Sequence, residues 1–69
     1  MIVYTENGSF PYELSSFMII KCKSSGYEVK ANYMGNEFHL RWVYTDKTGK
    51  EFLDKMKEAY IRGDTTFEV

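Results

Sequence analysis

Residues 17–45 read FMIIKCKSSGYEVKANYMGNEFHLRWVYT, three stretches rich in aromatic and β-branched residues interrupted at Ser25-Gly26 and Gly35-Asn36. Both interruptions are residue pairs that accept the positive φ of tight hairpin turns. The segment therefore predicts a three-stranded antiparallel meander with strands over 17–24, 27–34 and 37–45. Two-residue loops would set Ser24 opposite Tyr27 and Met34 opposite Glu37. In that register one face receives the rows Met18–Tyr33–Phe38, Ile20–Ala31–Leu40 and Cys22–Val29–Trp42, with Tyr27 beside Tyr44 at the end. All of these residues bury readily. A slip of one residue in either hairpin would turn a whole strand over, so two independent turns giving one apolar face supports the register.

After Thr45 the apolar period lengthens from two to about 3.6. Phe52, Leu53, Met56, Ala59 and Tyr60 then fall on one side of a helix expected over 49–62, which would cover the apolar face of the sheet. Thr48 followed by Glu51 has the spacing of a capping box. Arg62 suits the negative end of the helix dipole, and Gly63 can take the left-handed conformation that closes a helix. Ala31, the smallest residue of the central row, is expected where the helix approaches the sheet. Before the meander, Asn7-Gly8 signals a hairpin between Ile2–Thr5 and Ser9–Tyr12, with Pro11 confined to an edge or a bulge because it lacks a ladder donor. Thr65–Val69 is β-prone and is expected to add a short strand to a sheet edge, without specifying which one. The reading is an α+β fold, an antiparallel sheet packed on one face by a single helix, in one domain over 1–69.

A domain this small buries only roughly 60% of the surface its unfolded chain exposes, and many such chains need a staple. The lone Cys22 cannot form an intrachain disulfide, and one Cys with one His falls short of a four-ligand structural zinc site. Dense packing of six Tyr, five Phe and one Trp, or association with another chain, is what remains. The longest apolar run, Phe17 to Ile20, is far below the roughly 20 residues of a membrane span. The N-terminus has no signal-peptide pattern, and with a single thiol the expected location is the cytoplasm. A formal net charge of −1 supplies no global field for nucleic acid or anionic lipid, so an electrostatic partner would need a local patch.

Catalytic chemistry finds no support in the residue pattern. Cys22 falls on the predicted buried face with no histidine in its row, where a small core residue is the simpler reading. His39 has Asn32 and Ile19 as predicted neighbours and no nucleophile. Glu51, Asp54 and Glu58 lie on the polar side of the helix among Lys55, Lys57 and Arg62, where ion pairing explains them. No phosphate loop, metal-ligand spacing or nucleophile elbow occurs. The expectation is no enzyme, no catalytic residue, no metal and no cofactor.

The other predicted face of the meander carries the rows Phe17–Met34–Glu37, Ile19–Asn32–His39, Lys21–Lys30–Arg41 and Lys23–Glu28–Val43. Like charges directly opposite one another are unfavourable, so a Lys21–Lys30–Arg41 row is either screened by water or covered by something acidic. Beside it Phe17, Ile19 and Met34 would form an apolar strip, unless the first hairpin folds over it. These six residues with His39 are the candidate partner-binding site, and a protein with an acidic surface is the expected partner. Single-stranded nucleic acid is the second candidate. It is disfavoured because Tyr27, Tyr33, Trp42 and Tyr44 go by parity to the helix side, leaving no stacking platform. A third is homodimerisation through the open face or an edge strand.

Gly35-Asn36-Glu37-Phe38, followed by a strand and a helix rich in lysine and glutamate, is similar in arrangement to small β-sheet-plus-helix inhibitors of bacteriophages, including anti-CRISPR proteins. The similarity covers about half the chain, and the nucleic-acid mimics among those inhibitors are much more acidic than this chain. It implies a small phage-type regulator or inhibitor of a host protein and carries over no functional residue.

Overall fold

The computed structural model describes residues 1–69, which form two three-stranded sheets and one helix. Strands β1 (Ile2–Thr5) and β2 (Gly8–Pro11) make the first hairpin, and a single 3-10 turn, Tyr12–Leu14, leads into the meander β3 (Ser16–Lys21), β4 (Tyr27–Tyr33) and β5 (Asn36–Val43). Helix α1 (Asp46–Arg62) and the short strand β6 (Thr66–Glu68) follow. The meander is one sheet, ordered β3-β4-β5, and the other is ordered β2-β1-β6. The C-terminal strand therefore joins the N-terminal hairpin and runs parallel to β1, pairing Val3 with Phe67. Pro11 sits on β2, an edge strand, where its missing N–H breaks no ladder.

Both sheets and the helix feed one hydrophobic cluster. Val3 and Phe10 come from the small sheet, Val29, Ala31, Leu40 and Val43 from the meander, and Phe52 and Met56 from the helix. Phe10 packs its ring 4.9 Å from Phe38 and 6.1 Å from Phe17, and Tyr12 stacks between Phe17 and Tyr60 at 5.2 and 4.8 Å. Such pairs contribute about 0.5–1.5 kcal/mol each beyond their buried area. The first hairpin is thus fastened to the meander by aromatic contacts, and Phe17 faces the core instead of an open strip.

The strand register differs from the sequence expectation at both hairpins. Tyr27 lies opposite Lys21 instead of Ser24, a displacement of three residues. The connection is longer than a tight turn, closed by the Cys22 N–H donating to the Gly26 carbonyl at 3.0 Å, with Gly26 at φ +77°. An odd displacement turns β3 over. Phe17, Ile19 and Lys21 now share a face with Val29 and Ala31, while Met18 and Ile20 take the opposite face. The second turn is Met34-Gly35, with Met34 at φ +52° and Gly35 at φ +79°, the two positive values of a type I′ hairpin. Asn36 then faces Tyr33, an even displacement that leaves Phe38 on the inner face as expected.

Further along β5 the ladder is interrupted. His39 faces Lys30 and Arg41 faces Val29, so Leu40 is an extra residue, a β-bulge. The bulge inverts everything after it. Val43 becomes buried, Arg41 lies over the Phe52 ring at 4.5 Å, and Trp42, expected inside, is 65% exposed.

The helix begins earlier than the Thr48 box implies. Thr45 is the N-cap, with an extended backbone, and its Oγ1 accepts from the Thr48 N–H at 3.1 Å. Gly49 is buried in this first turn against Ile19, making it a point of close helix–sheet approach. The far end follows the expectation. Gly63 at φ +91° donates to the Tyr60 carbonyl and Asp64 to that of Ala59, a paired closure that satisfies two carbonyls at the helix end.

Candidate binding face

Because the small sheet and the helix both pack on the side of Val29 and Ala31, the other face of the meander stays open. Its cross-strand rows are Ser16–Asn32–Glu37, Met18–Lys30–His39 and Ile20–Glu28–Trp42. The charged groups on it pair with one another. His39 Nδ1 lies 2.7 Å from Glu28 Oε2, and Lys30 Nζ lies 3.0 Å from Glu37 Oε1 and 3.8 Å from Glu28 Oε1. The hydrogen bond to Glu37 raises the Lys30 pKa above the ordinary lysine value, with the charges of Glu28 and Glu37 adding to it against a smaller desolvation effect. Glu28 is central to this network and its side chain is mostly covered.

Trp42 rests on the network. Its ring centroid is 4.6 Å from that of His39, and Glu28 anchors His39 through Nδ1. The indole borders two shallow depressions. One, of roughly 440 Å³, runs between β5 and the first hairpin and includes Thr5, Glu6, Asn7, His39 and Val69. The other, of roughly 300 Å³, is formed by Ser25, Gly26, Tyr27, Val43 and the almost fully exposed Tyr44. A third groove of roughly 520 Å³ between β5 and the helix has mainly charged walls, Glu51, Asp54, Lys55 and Glu58, with Arg41 laid across Phe52.

The expected partner-binding residues do not form one surface. Lys21 faces Tyr27 on the inner side at the end of the sheet, Lys30 is ion-paired on the open side, and Arg41 lies on the helix. No cationic row exists, because the longer first connection and the Leu40 bulge each change the parity on which it depended. Phe17 and Ile19 are turned inward against Tyr12 and Gly49, so the apolar strip is absent too. Met34 stands in the second turn, 81% exposed, and Lys30 and His39, both paired to Glu28, are the members that remain in the described cluster. Residues that sequence reasoning missed are Trp42, Glu28, Met18 and Ile20. The adjacent apolar pair Trp42-Val43, which breaks the alternation of β5, was the available signal for the bulge.

No three His, Cys, Asp or Glu side chains cluster closely enough to hold a metal ion, and no helix is long and apolar enough to cross a membrane. No protein-family model, curated protein or solved structure shows significant similarity to the chain.

Proposed function

We propose that this chain is a non-enzymatic protein-binding module whose docking surface is the open face of the meander, with Trp42 as its anchor. The observation that carries the reading is the position of the indole. A large aromatic side chain, 65% exposed and held in place by His39 and Glu28, has the composition and the preorganisation of a binding hot spot. Met18 and Ile20 extend the apolar surface across the sheet. With two carboxylates, Glu28 and Glu37, against the single ammonium of Lys30, the face offers no cationic row to an acidic partner. The partner that suits it brings an apolar pocket for the indole. A role as a phage-type regulator or inhibitor rests on the arrangement of the C-terminal half alone.

Trp42 is the sole tryptophan, so its fluorescence reports on the site directly. The free chain should emit as a solvent-exposed indole, and a captured partner should shift that emission to the blue. Baits of wild type and Trp42→Ala, presented to nuclease-treated lysate of the source cell, should differ in one or a few proteins. Recovery of the same proteins by both baits, with no emission change on adding them, rejects the assignment.

A second reading, single-stranded nucleic-acid binding, gains one observation. Trp42 and Tyr44 are exposed beside the row of Lys21, Tyr27 and Val43, which supplies the aromatic surface that parity alone had denied. Few cations are near, so affinity would be low and would fall with salt. Unchanged anisotropy of labelled RNA and DNA oligonucleotides at low ionic strength eliminates it.

A further inference from the structure

The four free strand edges are not equally protected. The β2 edge is four residues long and ends in Pro11, β6 has three residues, and β5 is bent by the Leu40 bulge. Each is a recognised means of preventing edge pairing. Strand β3 has none of them. It runs six residues, SFMIIK, in unbroken register with β4, without proline or bulge and with one charge at its end.

Its unpaired groups can be identified. The Cys22 N–H bonds to Gly26, so in an antiparallel ladder with constant register the residues bonded to β4 are Ser16, Met18, Ile20 and Cys22. The N–H and C=O groups of Phe17, Ile19 and Lys21 therefore point to the free edge. None of the turn, loop and cap backbone bonds, and none of the side-chain hydrogen bonds, uses them.

We infer that β3 pairs with β3 of a second copy of this chain, antiparallel about a two-fold axis at Ile19, to form a continuous six-stranded sheet. A two-fold axis perpendicular to the sheet keeps both cores on one side and pairs only residues of like parity. Centring it on Ile19 sets Phe17 against Lys21 of the partner subunit, Ile19 against Ile19 of the partner subunit, and Lys21 against Phe17 of the partner subunit. Every outward backbone group is then matched. Moving the axis by one residue to Met18 or Ile20 leaves Lys21 or Phe17 without an opposing outward residue. On the open face Met18 lies against Ile20 of the partner subunit, an apolar pair, and no like charges oppose one another. The occupant is a second copy because the edge is complementary to itself in both backbone pattern and side chains. The pairing uses the backbone edge of β3, whereas the Trp42 anchor stands two strands away in the Ile20–Glu28–Trp42 row, so Trp42→Ala should leave the mass increase unchanged.

The same register sets Ser16 against Cys22 of the partner subunit as a non-hydrogen-bonded pair, with Cα atoms about 4.5 Å apart, within disulfide range. Ser16 is exposed, so Ser16→Cys should fold normally. Light scattering of wild type across a concentration series should show the mass rising from 8.1 kDa toward twice that value. In oxidised glutathione Ser16→Cys should become a covalent dimer on a non-reducing gel, linked between the introduced thiol and Cys22 of the partner subunit, while wild type should not. Met18→Lys with Ile20→Lys, which opposes like charges, should abolish the mass increase, and Met18→Lys with Ile20→Glu should restore it. A wild type monomeric at every concentration overturns the inference. So does a Ser16→Cys dimer whose peptide map shows only links between identical positions, because that places the axis elsewhere. Circular dichroism of each variant separates lost pairing from lost folding.

Discussion

On the inner face of the meander Val29 and Ala31 have no solvent exposure, whereas the alternate residues of the same strand, Glu28 and Lys30, form ion pairs on the open face. The inner face is closed by groups from the first hairpin and the helix, with Met56 fully buried among them. The open face satisfies its polar groups from its own residues and holds one large indole in water. A domain of this size has few residues to spare for burial. Separating the two tasks by strand parity lets the inner face carry stability while the open face can change its side chains at little cost to the fold. The contrast is testable through the relative size of mutational effects.

The largest effect belongs to the inner face. Met56→Ala removes a fully buried side chain from the junction of both sheets and the helix, and should cost about 2–5 kcal/mol. Against a total stability of about 5–15 kcal/mol for small domains, that should lower the urea midpoint markedly with little change in slope. A cost no larger than that of Trp42→Ala would show that the faces are not energetically distinct.

Gly26→Ala comes next, because the connection containing Gly26 decides which face of β3 is inside. At φ +77° an added Cβ would stand 2.7 Å from the Val43 carbonyl oxygen. The left-handed conformation alone costs about 1–2 kcal/mol for a side-chain-bearing residue, and the backbone contact adds to it. Hydrogen exchange should accelerate for the β3 amides bonded to β4 before those of β1. Equal acceleration in both sheets would mean that the connection does not hold β3 independently.

Those same few residues explain what could be read from sequence and what could not. The element order was legible because the glycine turns, the change to helical period after Thr45 and the closing Gly63 are local signals. The small sheet's first hairpin lies where Asn7-Gly8 signals one, but the turn itself is Glu6-Asn7, with Gly8 already in β2 opposite Thr5 and Tyr12 beyond the strand. Face assignment is different, since it depends on counting, and a single extra residue reverses it. The five residues from Cys22 to Gly26 resemble a two-residue turn within a longer connection, and Leu40 is an ordinary strand residue that happens to be bulged. Their positions are fixed by tertiary packing: Val43 and Arg41 meet the helix only if Leu40 is extra. Of the expected site residues only Lys30 and His39 stay in the network around Trp42, because the site was defined by parity and not by composition.

Trp42→Ala should have a modest effect on folding, about 0.5–1 kcal/mol, since the side chain is mostly in water. Its effect on partner affinity should be greater, about 2 kcal/mol or more if it is a hot spot. Denaturation midpoint and titration calorimetry with the recovered partner measure the two quantities on the same samples. A stability loss as large as the affinity loss would assign Trp42 to the fold and remove it from the binding face.

The smallest difference should emerge in alkali, where one group from each face titrates. Burial, assisted by the neighbouring Tyr60, raises the Tyr12 phenol above its ordinary 10.0, and the hydrogen bond to Glu37 raises Lys30 above its ordinary 10.5. Each group holds its proton to a higher pH in the folded chain than in the unfolded chain. Its contribution is complete below the unfolded value and is lost as pH rises through the folded one. Both therefore weaken the fold in the same direction, and only variants separate them. Tyr12→Phe keeps the stack with Phe17 and Tyr60 but removes the phenol, so it should flatten the decline in stability above about pH 10. Glu37→Gln removes the carboxylate that supports Lys30 and should flatten it less, because that ion pair is solvent-screened. Thermal midpoints from neutral pH into this range provide the comparison. Greater flattening by Glu37→Gln would place more pH-dependent stability on the open face than on the inner one, and the division of tasks between them would fail.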